Sequence, residues 1–413
     1  MTAYLSLIAR YALFGLLIFT PLARGAVQGW AVIVIDMVTL MGLTALLIQK
    51  SLDWDWKWIR TPLDKPIYLL LMLAILSTIF SMLKTTSIWA SIQLLNYIVI
   101  FYLVIHTIRT RSQLRQLVYV IIGVAVFLSV FGLFKKFGIN PFPWWDYGDL
   151  KYSPDWLSAT YGNHNHMAGY LEMVIPIALA LLLTGLRGGT LFLFVYLSLL
   201  MLTALVLTLS RGGWIGCLAG LSFMVIALLT SPRFERKRLL GAIAGGAFVL
   251  ALVVLASTPV VERIRTLMEK DQTANLGSRQ IAWEGVLKVI PDRPFLGTGP
   301  GTFATVFTQY QPAGLNVYFN MAHNDYLHFV SEVGLPLIAI IIWMIIALYR
   351  KGFKKLKNPS RLARWMTLGA MSGLTAILVH SITDFNLHIP ANAIFFVVLA
   401  AIVVAPVPVN SEP

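Results

Sequence analysis

The sequence predicts an all-α polytopic membrane protein. About twelve transmembrane helices form a single integral-membrane domain over residues 1–413, interrupted by one large, partly helical loop at 258–332. Three observations lead there. The 413 residues are 58% hydrophobic and only 12% charged, whereas a soluble globular chain is about half apolar and about a quarter charged. Apolar runs long enough to cross a bilayer recur along the chain. The positive charge is also distributed unevenly between the junctions that join those runs.

The runs lie near 7–23, 30–48, 67–83, 92–107, 117–134, 167–186, 190–209, 213–229, 239–257, 334–349, 366–381 and 393–406. With the N-terminus inside, every second junction faces the cytoplasm, and these junctions hold most of the 32 Lys and Arg. They include Lys50, Lys57, Arg60 and Lys65, then Arg109, Arg111 and Arg115, then Arg350 to Arg364. The short junctions on the other side carry only Arg24, Lys84 and Arg211. By the positive-inside rule both termini are cytoplasmic. The net charge of +14 is therefore mostly a topology signal, and nucleic acid is excluded as a partner. The first run lacks a basic stretch before its apolar core, so it reads as a helix and not as a signal peptide. Trp54, Trp56 and Trp58 beside Lys57 and Arg60 form an interfacial belt. Cys217, the one cysteine, excludes an intrachain disulfide and a cysteine-cluster metal site.

Polar residues gather on the outer face, after the fifth, seventh, ninth and eleventh runs. The first group is Asn163-His164-Asn165-His166. Zinc needs three or four convergent ligands, so the two histidines read as part of a polar helix entry, with Asn165 as the cap and the others hydrogen-bonding sugar or neighbouring loops. Glu172 lies a turn further on, and an ionisable group inside a span faces a polar cavity. The second group, Ser210-Arg211-Gly212-Gly213, is a tight turn at the membrane–water boundary. A guanidinium there can grip phosphate bidentately. Gly212, Gly216 and Gly220 recur every fourth residue, as on a close helix–helix contact face.

The large loop carries Arg263, Arg265, Arg279 and Arg293 against a similar number of acids, so each arginine has to be judged singly. A helix is expected from Ser278 to just before Pro291, with Ile281, Ala282, Val286 and Val289 as its apolar stripe. Arg279 opens that helix with no acid within four positions and is the first choice for an anion ligand; Arg265 is the second. Gly297-Thr298-Gly299-Pro300-Gly301 reads as a tight turn rather than a nucleotide fingerprint. Then comes Ala322-His323-Asn324-Asp325-Tyr326-Leu327, immediately before a helix. A helix N-terminus disfavours imidazolium and attracts anions, so His323 is placed to accept a proton. Asn324, Asp325 and Tyr326 would orient it or the acceptor, and His328 and Glu332 would line the same cavity. The 380–392 connection is polar and free of Lys and Arg; it either walls the site or caps two helices.

Ser210-Arg211-Gly212-Gly213-Trp214, Asn163-x-Asn165-His166, Asp292-Arg293-Pro294 and above all the His323–Leu327 segment resemble the O-antigen ligase family, which includes O-antigen polymerases and protein O-oligosaccharyltransferases. The resemblance covers roughly 160–400 and implies a large periplasmic loop in a bacterial inner-membrane protein. It also implies glycan transfer from an undecaprenyl-diphosphate-linked donor to a lipid A-core acceptor, without metal or other cofactor. The family's essential histidine would be His323, and its arginines Arg211 and Arg279. A sugar on a diphosphate already has a good leaving group. The residues then need only neutralise phosphate charge and deprotonate a hydroxyl, and direct attack inverts the anomeric carbon. A transporter would instead place its polar residues near the midplane in two related halves, and no internal repeat is visible.

Overall fold

The structure is a computed structural model that describes residues 1–142, 156–230, 273–311 and 318–407. Among these residues there is no β-strand. The helices are α1 (Thr2–Leu22), α2 (Gly29–Leu52), α3 (Asp64–Ile79), α4 (Lys84–Thr107), α5 (Arg111–Lys136), α6 (His164–Leu182) and α7 (Gly188–Leu207). They continue with α8 (Arg211–Thr230), α9 (Thr273–Asp292), α10 (Phe303–Val306), α11 (Asp325–Val333), α12 (Pro336–Lys355), α13 (Arg361–His380) and α14 (Pro390–Val404).

Nine of the described helices are long and apolar enough to cross a membrane: α1, α2, α4 to α8, α12 and α13. Of the other three expected spans, the third is the 16-residue α3 and the twelfth the 15-residue α14. The ninth lies outside the described residues, as do Arg263 and Arg265. In α6, 89% of the apolar window is buried by other helices, against 28% in α7. The polytopic fold therefore has an inner helix packed chiefly against α13, α7 and α8, while most of α7's own surface faces outward.

The glycine stripe on α8 does what its spacing suggested. A side chain at Gly216 would strike the Glu172 carboxylate, and one at Gly220 would strike the Ser372 carbonyl. The helix backbones of α8, α6 and α13 approach as closely as small residues permit.

The second glycine run docks one end of the bundle. Gly297, Gly299 and Gly301 all have positive φ, a conformation other residues adopt only with strain. The turn they make wedges between α11 and the α3–α4 corner. Ser77 Oγ donates to the Leu296 and Glu332 carbonyls at 2.6 and 3.0 Å, and Ser87 Oγ donates to the Pro300 carbonyl at 2.8 Å. Gly299 N donates back to the Glu332 carbonyl at 2.9 Å. The first third of the chain thus braces the loop that carries the polar motifs.

Helix α9 begins five residues earlier than the sequence suggested, at Thr273, and runs one past Pro291. Its stripe is as expected: Ala282, Val286 and Val289 are buried, the first two against Phe303, Phe307 and Phe319. The segment after His323 does not continue into the bilayer as one bent helix. It stops at Val333, turns through Gly334 (φ 95°), and restarts with Pro336 in the first turn of α12, where a missing N–H costs nothing.

Gly297→Ala should lower the thermal unfolding midpoint in detergent, since backbone strain alone costs about 1–3 kcal/mol and its Cβ would overlap the Glu332–Val333 peptide. Gly123→Ala, where nothing stands within 4 Å, should leave the midpoint level or slightly raised.

Candidate active site

The 381–389 connection between α13 and α14 carries a carboxylate, Asp384, that is 2% exposed. A guanidinium and an imidazole from different parts of the chain converge on it. Arg279 Nη2 from α9 lies 3.8 Å from Asp384 Oδ2, and His323 Nδ1 lies 3.6 Å from Oδ1. Asp384 Oδ1 also accepts the Phe385 N–H at 2.8 Å. Burial would raise the carboxyl's pKa, but His323, His380 and His166 outweigh it and hold Asp384 well below the usual carboxylate range. Arg279 has no nearby acid in sequence, yet its counter-ion comes from a loop about a hundred residues on.

His323 sits at a left-handed turn (φ 51°) one residue before the helix cap. A non-glycine residue there is uncommon, and such strain gathers at functional sites. The ring is 36% exposed and packs edge-on against Phe385, with centroids 4.9 Å apart. The turn is held from behind by the Trp283 indole N–H, which donates to the Ala322 carbonyl at 3.0 Å. Asn324 caps α11, its Oδ1 accepting the Leu327 N–H at 3.0 Å. His323 therefore lies outside the helix proper, with its Nδ1 edge toward Asp384.

Asp325 and Tyr326 face inward. Asp325 is fully buried; Oδ2 accepts Ser381 Oγ–H at 2.7 Å and Leu387 N–H at 3.1 Å, while Oδ1 pairs with His388 Nδ1 at 2.7 Å. Its own N–H donates to the Ser381 carbonyl at 2.9 Å. With every bond made to the 381–388 segment, Asp325 is a positioning residue that fixes the loop bearing Asp384. Tyr326 donates to the Leu378 carbonyl at 2.7 Å. Burial, with Asp325 and Tyr349 adding to it, pushes its phenol up to about 12.

The Asn163–His166 group reaches the same end of the bundle. Asn163, and not the expected Asn165, caps α6 by accepting the Asn165 N–H at 2.8 Å. The cap needs a side-chain oxygen one position before the first helical residue, and α6 starts at His164. The two histidines diverge. His164 Nδ1 meets the Thr208 carbonyl at 2.8 Å and stacks on Trp156. His166 lies against Phe385, on which His323 also packs, and its buried Nε2 has no hydrogen-bond partner among the described residues. They do not form a shared ligand set.

The contact between His164 and Thr208 steadies the α7–α8 turn, where Ser210 Oγ accepts the Gly213 N–H at 3.2 Å. Arg211 is the first residue of α8 and is partly buried. Its neighbour Gly212 packs on His380 and Thr383, and a Cβ there would overlap the His380 ring. Arg211 thus enters beside the loop that presents Asp384, at the end of the bundle that carries His323. Just beneath, Glu172 Oε1 pairs with His380 Nδ1 at 3.0 Å, both fully buried. Arg265 lies outside the described residues.

Residues 196–342 match the family model described as O-Antigen ligase. Over that segment, about a third of the chain, the sequence is similar to the O-antigen ligase family. That family is one of ligase- and polymerase-type glycosyltransferases, and the match supports a transferase-type reading of this multi-pass chain. The O-antigen ligase match contains Arg211, Arg279, His323 and the α11 residues; Asn163, His166 and Asp384 fall outside it. No curated protein matches the chain.

Sequence reasoning passed over Asp384. The available signal was a lone acid in a polar, basic-free connection between two apolar runs. Asp325→Ala should lower the unfolding midpoint and expose the 381–388 segment to protease, since a buried donor left unpaired costs about 1–3 kcal/mol and three lose their acceptor. His323→Ala, on a half-exposed ring, should leave both measurements near wild type.

Proposed function

We propose that the protein is an O-antigen ligase. It moves a glycan from undecaprenyl diphosphate to a sugar hydroxyl of the lipid A-core, at the periplasmic face of the bacterial inner membrane. The observation that carries the reading is the convergence of His323 and Arg279 on the buried carboxylate of Asp384, beside the turn that starts α8 at Arg211. The excess of Lys and Arg in alternate junctions supports placing that end outside, with both termini cytoplasmic.

The acceptor hydroxyl oxygen attacks the anomeric carbon and forms the new glycosidic bond. The bond from that carbon to the diphosphate oxygen breaks from the opposite side, so the configuration inverts. The hydroxyl proton passes to His323 Nε2, because Nδ1 faces Asp384. Asp384 fixes the ring orientation and balances the charge the ring acquires, as a carboxylate behind a histidine base does. The 3.6 Å separation closes when substrate seats the ring, since such bonds are often long before binding. Arg211 and Arg279 hold the diphosphate as its negative charge grows. Preorganised cations in a water-poor site are most effective there, and fixing donor and acceptor together contributes the remainder. Phe385 and His166 form the wall behind the base. Asn163, His164 and Asn324 hold helix starts and turns, with Arg265 available from the large loop.

His323→Ala should reduce transfer by at least about 10²–10⁴-fold, the usual worth of a general base. The assay is purified protein given lipid-linked glycan and lipid A-core, with the product identified. Wild-type turnover would remove His323 as base. Supplying a second lipid-linked glycan or a protein in place of lipid A-core separates ligase from polymerase and protein glycosyltransferase.

Arg211→Lys should also impair strongly, because the ammonium keeps the charge but loses the bidentate fork. Full activity in that variant would mean that a point charge suffices.

A further inference from the structure

Behind the His323 turn lies a second cluster that the transfer chemistry does not use. His328 and Glu332 stand one turn apart on α11, and His388 reaches them from the 381–389 loop. One nitrogen or oxygen from each lies within 4.8 Å of the other two. His328 and Glu332 are buried and His388 is nearly so. His328 Nε2 and Glu332 Oε1 are 3.3 Å apart, and the rings of His328 and His388 have centroids 4.0 Å apart. We propose that His328, Glu332 and His388 bind a divalent transition-metal ion of the Zn2+ type, which ties the 381–389 loop to α11.

Three features carry the assignment. First, two imidazoles and a carboxylate are a known ligand set for Zn2+, with bonds of about 2.0–2.2 Å and a fourth position left for water. A tetrahedron of that size has edges of about 3.4 Å, close to the separation already present between His328 and Glu332. Second, His388 is prepared as a ligand. Its Nδ1 pairs with Asp325 Oδ1 at 2.7 Å, which puts the proton on Nδ1 and leaves Nε2 as a lone pair. A carboxylate behind a histidine in this way is the usual support of a ligating imidazole. Third, that His388 Nε2 is buried and has no hydrogen-bond partner among the described residues. A buried acceptor with nothing to accept calls for a cause, and a cation supplies one.

The surrounding contacts are compatible. Glu332 Oε1 also accepts the Phe303 N–H at 2.9 Å and keeps a second lone pair for the metal. Asp325 also touches the cluster through His388, and its oxygens are taken by Ser381, Leu387 and His388. His328 Nδ1 accepts a long bond from the Ala322 N–H at 3.4 Å. On binding, the ring shifts its proton from Nε2 to Nδ1 and that bond is given up. Phe303 and Phe329 pack against His328 and His388 respectively and close one side of the site.

The site stands apart from the diphosphate-binding groups, so its failure and the failure of the transferase reading are separable. The test uses the full chain purified in detergent on a tag without histidine, incubated with Zn2+, desalted and measured for metal content. Wild type should retain one Zn2+ per chain. His388→Gln should bind Zn2+ more than about 100-fold more weakly, beyond the 10–100-fold that losing a supporting carboxylate costs. A second measurement needs no variant: Co2+ added to wild type should give visible d–d absorption that Zn2+ abolishes. No metal above the detergent blank and no Co2+ band, or equal retention by a folded His388→Gln protein, would overturn the proposal and leave a hydrogen-bonded cluster only.

Discussion

A carboxylate at 2% exposure inside a protein is costly unless cations stand against it, and the candidate site is organised around meeting that demand. Asp384 needs partners: Arg279 from α9 supplies counter-charge, and the Nδ1 edge of His323 faces it from the turn before α11. Both contacts depend on where the 381–389 loop lies, since Asp384 is part of it. Asp325 holds the loop by accepting from Ser381, Leu387 and His388 in one buried spot. The loop in turn presses Thr383 and the end of α13 against Gly212, which sets where Arg211 leaves the bundle. One carboxylate positions the chemistry and another positions that carboxylate.

The helix bundle serves the same arrangement from below. Small residues on α8 let it lie on α6 and α13 at backbone contact, so the end of α13 and the start of α8 come level. The glycine turn at 297–301 clamps the loop against serines at the α3–α4 corner. That explains why residues with no family motif, such as Ser77 and Ser87, bear on the site. Loss of the Glu332 or Leu296 carbonyl contacts would free α11, and the His323 turn would move with it.

Much of this was legible in the sequence. Apolar length foretold nine of the twelve expected spans among the described residues, and a four-residue glycine spacing foretold the α8 contact face. The alternation of Ile281, Ala282, Val286 and Val289 foretold the buried stripe of α9. Arg211 at a turn and His323 before a helix were visible because a charged residue at the edge of an apolar run is unusual. What the sequence lacked was long-range pairing. Arg279 was singled out for having no acid nearby, and its partner Asp384 lies in another outer connection. Asp325 read as a site-facing group because nothing local shows that the start of α11 is roofed by the 381–388 loop. The cap of α6 was misplaced by two residues because Asn163 and Asn165 are equivalent by type, and only the starting point of the helix separates them.

The central claim is that separate guanidinium groups and one imidazole enclose a pyrophosphate at the outer end of the bundle. The most direct test is an experimental structure of the full chain in lipid nanodiscs with undecaprenyl diphosphate bound. The account predicts the diphosphate within hydrogen-bonding distance of Arg211 and Arg279, with His323 beside it. Density for the diphosphate at the opposite end of the helices, or out of reach of both arginines, would contradict it.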